Sequence, residues 1–297
     1  MGEKESHLTI IKEDIMGLRI NTNTASLNAQ RNLGQTKRAM ERTLEKLSSG
    51  QRINRAGDDA AGLAISENLK AQIRGLKQAA RNAEDGVSLV QVAEGGLGEV
   101  SNILIRLREL AVQAASDTIG GTERKFLNVE FDQLTSEIDR IANSTEFNRV
   151  PLLNGTGAIF DIQIGTRNDP INDRLTFDAS SADVNIAALG LNLASVADKI
   201  SAQNSLASID QSIVSVSGIR ADFGALQNRL QSTINNIGVS VENLSAANSR
   251  VRDADIAAET ADLTKNNILV QAGTSVLSQA NSSSKNALQL IQSSANM

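Results

Sequence analysis

Few residues in this chain have both the type and the spacing that chemistry requires. There is one histidine, His7, and no cysteine. A Ser-His-Asp triad, a His-Glu-x-x-His zinc helix, thiol catalysis and thiolate metal sites are therefore all unavailable, and His7 reads as a solvated side chain. Glu94-Gly-Gly-Leu-Gly98 has the glycine density of a phosphate loop. It follows a helical rather than a strand pattern, however, and lacks the Gly-Lys-Ser/Thr that would hold a phosphate. Asp58-Asp59 has the makings of a paired acid and base. Just ahead of the apolar run Ala60–Ile65 it is better explained as helix capping, with carboxylates accepting from free backbone N–H groups. Asp255, Glu259 and Asp262 share one helical face but have no loop to wrap a metal, so they read as a solvated or intersubunit face. Ile105-Arg-Leu-Arg-Glu-Leu110 alternates apolar anchors with Arg106, Arg108 and Glu109, a pattern that suits an ordinary amphipathic helix and a partner-binding face equally. No active site, cofactor or metal is expected.

The elements that would position these groups are long helices. From Ile209 an apolar residue recurs every seventh position: Val216, Phe223, Leu230, Ile237, Leu244, Val251 and Ala258 follow. A companion row runs through Ile219, Leu226, Thr233, Ser240, Ala247, Ala254 and Ala261. A seam this long makes helices wrap around each other, and one helix cannot bury it alone. The matching stripe is Leu69, Leu76, Ala83, Val90 and Leu97, with Ile73, Ala80 and Val87 beside it. The period predicts one helix from about Ser201 to Asp262, on the order of 90 Å long.

Towards the N-terminus, a helix is predicted over Ala25–Leu47 and ends at Gly50, which suits the left-handed C′ position. Gln51–Gly57 is a connector. A second helix starts near Ala60 and is weakened at Glu94–Gly98, where the glycines fit a bend or a close helix contact. Ile119-Gly120-Gly121 turns the chain, with Thr122 expected as a cap. Leu127, Phe131, Leu134, Ile138 and Ile141 then mark a third helix. Ile159–Gly165 and Arg174–Asp178 alternate apolar and polar residues around a loop at 166–173, as a β-hairpin would. The tail from Thr264 is amphipathic through Ile268, Ala272, Ser275, Leu277, Leu288 and Ile291. Rich in Ser and Asn, it is marginal as an isolated helix, and so is Ala25–Leu47.

Composition narrows the class further. With no Trp or Tyr, six Phe and two Pro among 297 residues, the chain suits helices packed through small side chains. The net charge of −5 is mild and both signs are interspersed, so nucleic acid is a poor partner. No stretch approaches the ~20 apolar residues of a membrane span, and no cleavable secretory signal is visible. Residues 1–15 read as a flexible extension, with Met16 as the expected start.

Several motifs together resemble bacterial flagellin: Met16–Ser26 (MGLRINTNTAS), Leu47–Ser66 (LSSGQRINRAGDDAAGLAIS), Arg106–Ala115 (RLRELAVQAA) and Ser136–Asn148 (SEIDRIANSTEFN). Asp222–Arg229, Asn243–Asp255 and Val276–Asn281 extend the match to the C-terminal half. The resemblance implies a mainly α fold: a long antiparallel coiled-coil-like helical bundle with a small central β-hairpin region. It implies a minimal form with inner helical domains only, divided as 16–58 and 256–297 (terminal coiled coil) and 59–255 (central domain, hairpin near 158–180). The tail departs from the family in lacking Gln-x-Pro after Gln-Ala-Asn.

By the same resemblance, the chain is a non-enzymatic, secreted subunit that polymerises into the flagellar filament after type III export. The implied partners are copies of itself, an export chaperone at the C-terminal segment, and filament cap and junction proteins. For many flagellins there is also an animal Toll-like receptor, for which Arg106, Leu110 and Glu130 are the matching positions. A hook–filament junction protein of the same fold and a non-polymerising coiled-coil adaptor are the alternative readings. Neither nucleic acid binding nor membrane insertion is expected.

Overall fold

The computed structural model describes residues 22–294, so the 1–15 extension, His7 and Met16 lie outside the described residues. Helix α1 (Thr24–Ser49) is capped by Asn23, whose Oδ1 accepts from the Ser26 amide at 2.9 Å, and ends on left-handed Gly50 at φ 68°. Two adjacent aspartates then divide the work. Asp58 Oδ2 accepts from the Asn54 and Arg55 amides at 3.2 and 3.1 Å and so folds the connector. Asp59 Oδ1 accepts from the Gly62 amide at 2.8 Å and caps α2 (Ala60–Ala114).

Helix α2 is one unbroken rod of 55 residues, about 80 Å long, and Glu94–Gly98 does not weaken it. The glycines there serve a contact instead. A Cβ on Gly96 would stand 2.7 Å from Thr145 Oγ1 and 2.9 Å from Leu153 Cδ1, so a larger residue would push the chain after the next helix away. Gly95 and Gly98 face open space. Helix α3 (Gly121–Ser144) begins one residue before the expected Thr122 cap, on extended Gly120 with no capping side chain. Arg124 instead secures the turn by donating to the Ala114 and Ser116 carbonyls at 2.8 and 2.7 Å.

After α3, strands β1 (Glu146–Phe147) and β2 (Val150–Pro151) form a two-residue hairpin that the sequence pattern did not reveal. Its turn residues Asn148 and Arg149 both have positive φ, the type I′ geometry usually marked by Asn-Gly. Strands β3 (Ile159–Gln163) and β4 (Arg174–Asp178) pair antiparallel in the register Ile159↔Asp178 to Gln163↔Arg174, where the alternation placed a hairpin. Asp198 Oδ1, accepting from the Ile200 and Ser201 amides, caps α4 (Lys199–Arg252).

The long C-terminal helix expected to reach Asp262 stops at Arg252, and α5 (Ile256–Ser294) starts afresh. Backbone pairing causes the break. Gln51 bridges Asp253, the Arg52 amide donates to the Arg252 carbonyl at 2.7 Å, and the Ala254 amide donates to the Gly50 carbonyl at 3.0 Å. Asp255 Oδ1 then accepts from the Ala257 and Ala258 amides and caps α5.

The chain divides into two compact units, Met1–Ser66 with Ser249–Met297 and Glu67–Asn248. The second holds the main hydrophobic core, in which α2 and α4 run antiparallel. Arg108 meets Asp210 at 2.6 Å and Arg220 meets Glu94 at 3.9 Å, and a Cβ on Gly86 would lie 3.4 Å from Leu230 Cδ1. The β3–β4 hairpin closes this core, with Phe177 edge-on to Phe223 at 5.2 Å. Along the α4 row, Val216, Phe223, Leu230 and Ile237 are buried, whereas Leu244 and Val251 are half-buried. Leu69 and Leu76 of the α2 row are half-buried too, while Ala83, Val90 and Leu97 are fully enclosed.

Candidate functional site

The first unit is where the sequence placed stripes without a home. Helix α1 lies antiparallel along α5. At one end Asn23 Nδ2 donates to the Ala280 carbonyl and Ser26 Oγ to Asn281 Oδ1, each at 2.9 Å. At the other, Lys46 Nζ meets Glu259 Oε1 at 2.8 Å. Between these clamps the sheltered positions follow alternating spacings of three and four. On α1 they are Ser26, Ala29, Leu33, Thr36, Met40, Thr43 and Leu47; on α5 they are Leu263, Asn266, Val270, Gly273, Leu277 and Ala280. These are coiled-coil seams made largely of small or polar residues. The gap is tight: a Cβ on Gly273 would approach Leu33 Cδ1 to 3.3 Å.

Such a seam shelters little. Among the described residues of this unit, Ile53 is the sole large apolar side chain that is fully buried; Ser26, Thr43 and Ser66 are the buried polar ones. The expected apolar face of the tail is displaced accordingly. Ile268, Ala272 and Ser275 face solvent, and Leu277 is half-buried; the side chains of Leu288 and Ile291 lie outside the described set. Ile268, Leu269, Ala272 and Val276 form an exposed stripe spanning about 100° of the α5 surface. Ile268 is 60% exposed and Val276 57%. Leu27 and Leu44 on α1 are exposed as well. Surface apolar residues are ordinary singly, but an aligned row on a helix with no buried side chain among its described residues marks an interaction face.

The connector beside this pair is polar and closely tied. Arg252 Nε donates to Gln51 Oε1 at 3.0 Å, Arg52 Nη2 donates to the Val251 carbonyl at 2.6 Å, and Arg55 meets Glu45 at 2.8 Å. Bonds from the Arg55 and Asn54 amides hold the Asp58 carboxyl below its ordinary range. The three carboxylates that share a helical face have separate partners. Asp255 caps α5, Glu259 pairs with Lys46, and Asp262 lies 3.9 Å from Lys265. No group of metal-ligating side chains occurs among the described residues. Nor, among them, is any helix long and apolar enough to cross a membrane.

In the second unit, Arg106 and Glu130 come together across α2 and α3 with Nη2 to Oε1 at 2.8 Å, and Arg106 Nη1 also reaches Glu109 Oε2 at 2.9 Å. Those bonds, Glu130's first, raise the guanidinium above its ordinary value. Leu110 does not join them on the surface. It is fully buried in the core: one turn on from Arg106 and about 40° further round α2, it falls inside the buried stripe of Leu107, Ala111 and Ala114, at whose edge Arg106 stands. In this unit Val92, Ile105 and Val112 on α2 and Phe126 and Val129 on α3 are exposed large apolar residues, and of these the alternation over Ile105–Leu110 points only to Ile105.

Both helical halves of the chain find matches among known proteins. The bacterial flagellin N-terminal helical region matches residues 20–158, and the C-terminal helical region matches residues 206–291. A flagellin of Halalkalibacterium halodurans is 45% identical over 273 residues, covering 92% of this chain and 99% of that one. The chain belongs to the bacterial flagellin family. A flagellar filament 33 kDa core protein of Treponema phagedenis is 42% identical over 284 residues, again with 92% and 99% coverage. A solved structure described as a flagellar hook-associated protein of Vibrio parahaemolyticus is 16% identical, with a TM-score of 0.56 over 66% of this chain and all of that one; it shares the fold. Flagellins are structural proteins rather than enzymes, in keeping with a site made of apolar stripes and caps.

Proposed function

We infer that this flagellin is the structural subunit of a flagellar filament, and that it polymerises through the coreless helix pair α1–α5. The exposed Ile268–Val276 stripe carries the reading, since neighbouring copies are the one source of apolar surface that a homopolymer always supplies. An alignment with flagellins and filament core proteins over 92% of this chain supports a place outside the cell, reached by export as an unfolded polypeptide free of disulfides. The C-terminal segment of α5 suits an export chaperone that covers the same stripe before assembly, and the subunit would then meet filament cap and junction proteins. The Arg106–Glu130 pair offers a charged surface point for an animal Toll-like receptor, with Leu110 supporting it from beneath.

The test is polymerisation of truncated chains. Removing Met16–Gly50 or Thr264–Met297 should abolish seeded filament growth, read by electron microscopy and sedimentation, while circular dichroism keeps the helices of the central unit. A truncated subunit that still elongates seeds removes the terminal helices from the interface. An intact chain that halts at a defined small oligomer supports the adaptor reading instead.

A further inference from the structure

One motif remains unused by assembly: Asn154-Gly155, the sole Asn-Gly dipeptide of the chain. It lies in the half-buried turn between β2 and β3. Asn154 Oδ1 accepts two hydrogen bonds from Thr156, from its amide at 3.1 Å and from its hydroxyl at 2.7 Å. This bends the side-chain carbonyl back over its own backbone. Gly155, at φ 71°, has no Cβ to obstruct that approach, and its amide donates no hydrogen bond among the described residues. The backbone on either side is anchored. The Leu153 carbonyl accepts from the Val184 amide at 2.9 Å, and the Asn154 carbonyl accepts from Asn185 Nδ2 at 2.8 Å.

We propose that Asn154 is a self-modification site, deamidated by attack of the Gly155 amide nitrogen within this turn. The deprotonated nitrogen bonds to Asn154 Cγ. Negative charge then develops on Oδ1, where the Thr156 N–H and O–H already point, as donors do in an oxyanion hole. The Cγ–Nδ2 bond breaks, ammonia leaves with a proton, and a five-membered succinimide remains. One water opens the ring at either carbonyl. One opening leaves an aspartate at 154; the other leaves an isoaspartate, whose main chain runs through Cβ. Overall, one water enters and one ammonia departs, with no oxidant or cofactor.

The product does not fit as the asparagine did. Asn154 Nδ2 is a donor to Asn143 Oδ1 at 3.3 Å, and a carboxylate has no proton to give it. The new charge also joins Asp183, whose Oδ2 lies 2.5 Å from where a Gly155 Cβ would stand. In an isoaspartate, the Asn154 carbonyl that Asn185 Nδ2 holds leaves the main chain as a carboxylate, and the chain between Leu153 and Gly155 gains one atom. The reaction therefore marks a subunit with age and loosens the segment that joins α3 to the hairpin.

Trypsin cuts after Arg149 and Arg167, releasing a peptide in which Asn154 is the one asparagine. The full chain would be held at neutral and mildly alkaline pH, folded and in urea, and this peptide followed by mass spectrometry and isoaspartyl methyltransferase labelling. The expected result is conversion in the folded chain at least as fast as in urea. Thr156→Val should slow it about tenfold, well short of the loss on removing an enzyme's oxyanion donor, in the folded chain alone. Folded chain that converts more slowly than the urea-unfolded chain, or a folded Thr156→Val that converts at the parent rate, overturns the proposal.

Discussion

Replacing Ile268 and Val276 with alanine separates an assembly face from a folding face. Both side chains lie on the outer stripe of α5, at 60% and 57% exposure, so each leaves over half its surface for a neighbour. Full burial of such a side chain is worth about 1.5–3 kcal/mol, and truncation to alanine forfeits most of the share still available, about 1 kcal/mol each. The two sites are eight residues apart, about 12 Å along the helix, so their effects should add. A combined loss of about 2 kcal/mol per subunit raises the monomer concentration in equilibrium with filaments roughly thirtyfold. Alanine is the better helix former, so α5 itself is not weakened. The assay is sedimentation of seeded polymerisations at rising concentration, paired with thermal unfolding of the unpolymerised chain. An unchanged critical concentration in the double variant, with normal helix content, would falsify the assignment of this stripe to subunit contacts.

The core predicts the opposite pattern. Leu230→Ala removes a fully buried side chain facing Gly86, and should cost about 2–5 kcal/mol in denaturant unfolding of the central unit. Leu230→Pro should unfold that unit, with circular dichroism losing helix in the monomer, because the ring breaks α4 from within. Arg108→Ala breaks the exposed pair with Asp210 and should shift unfolding by less than about 1 kcal/mol. Asp58 titrates in acid. Its folded carboxyl lies below the ordinary value of 3.8, so its contribution is complete above that value and lost as pH falls through the lower folded one. Hydrogen-exchange protection of the Asn54 and Arg55 amides should fall in that acidic window, and Asp58→Asn should abolish the pH dependence.

Seven-residue periodicity made the helices and their antiparallel partners legible, because burial in α2 and α4 is set by that period. It also misled. Ala254, Ala258 and Ala261 continue the rows past a real break, since alanine satisfies a seam and an exposed helix alike, and the capping by Asp255 carries no apolar signature. The β1–β2 hairpin escaped notice because its turn uses Asn148-Arg149 rather than Asn-Gly. The strongest turn signal, Asn154-Gly155, sits in a loop with no strand pair of its own. Arg106 and Glu130 stand 24 residues apart in sequence; helix pairing alone brings them together. The stripe of α5 was readable as apolar. Which of its faces α1 would cover depended on Gly273 admitting Leu33, a steric fact invisible to periodicity.

The seam of small residues between α1 and α5 has a kinetic consequence. A contact that gains so little from one partner gains more with each further neighbour, so two or three copies meeting in solution hold on weakly. A growing tip offers several neighbours at once and captures the next arrival. With assembly through this pair, as proposed, spontaneous initiation would be suppressed relative to elongation, and a concentrated store of subunits would wait without polymerising until a tip is supplied.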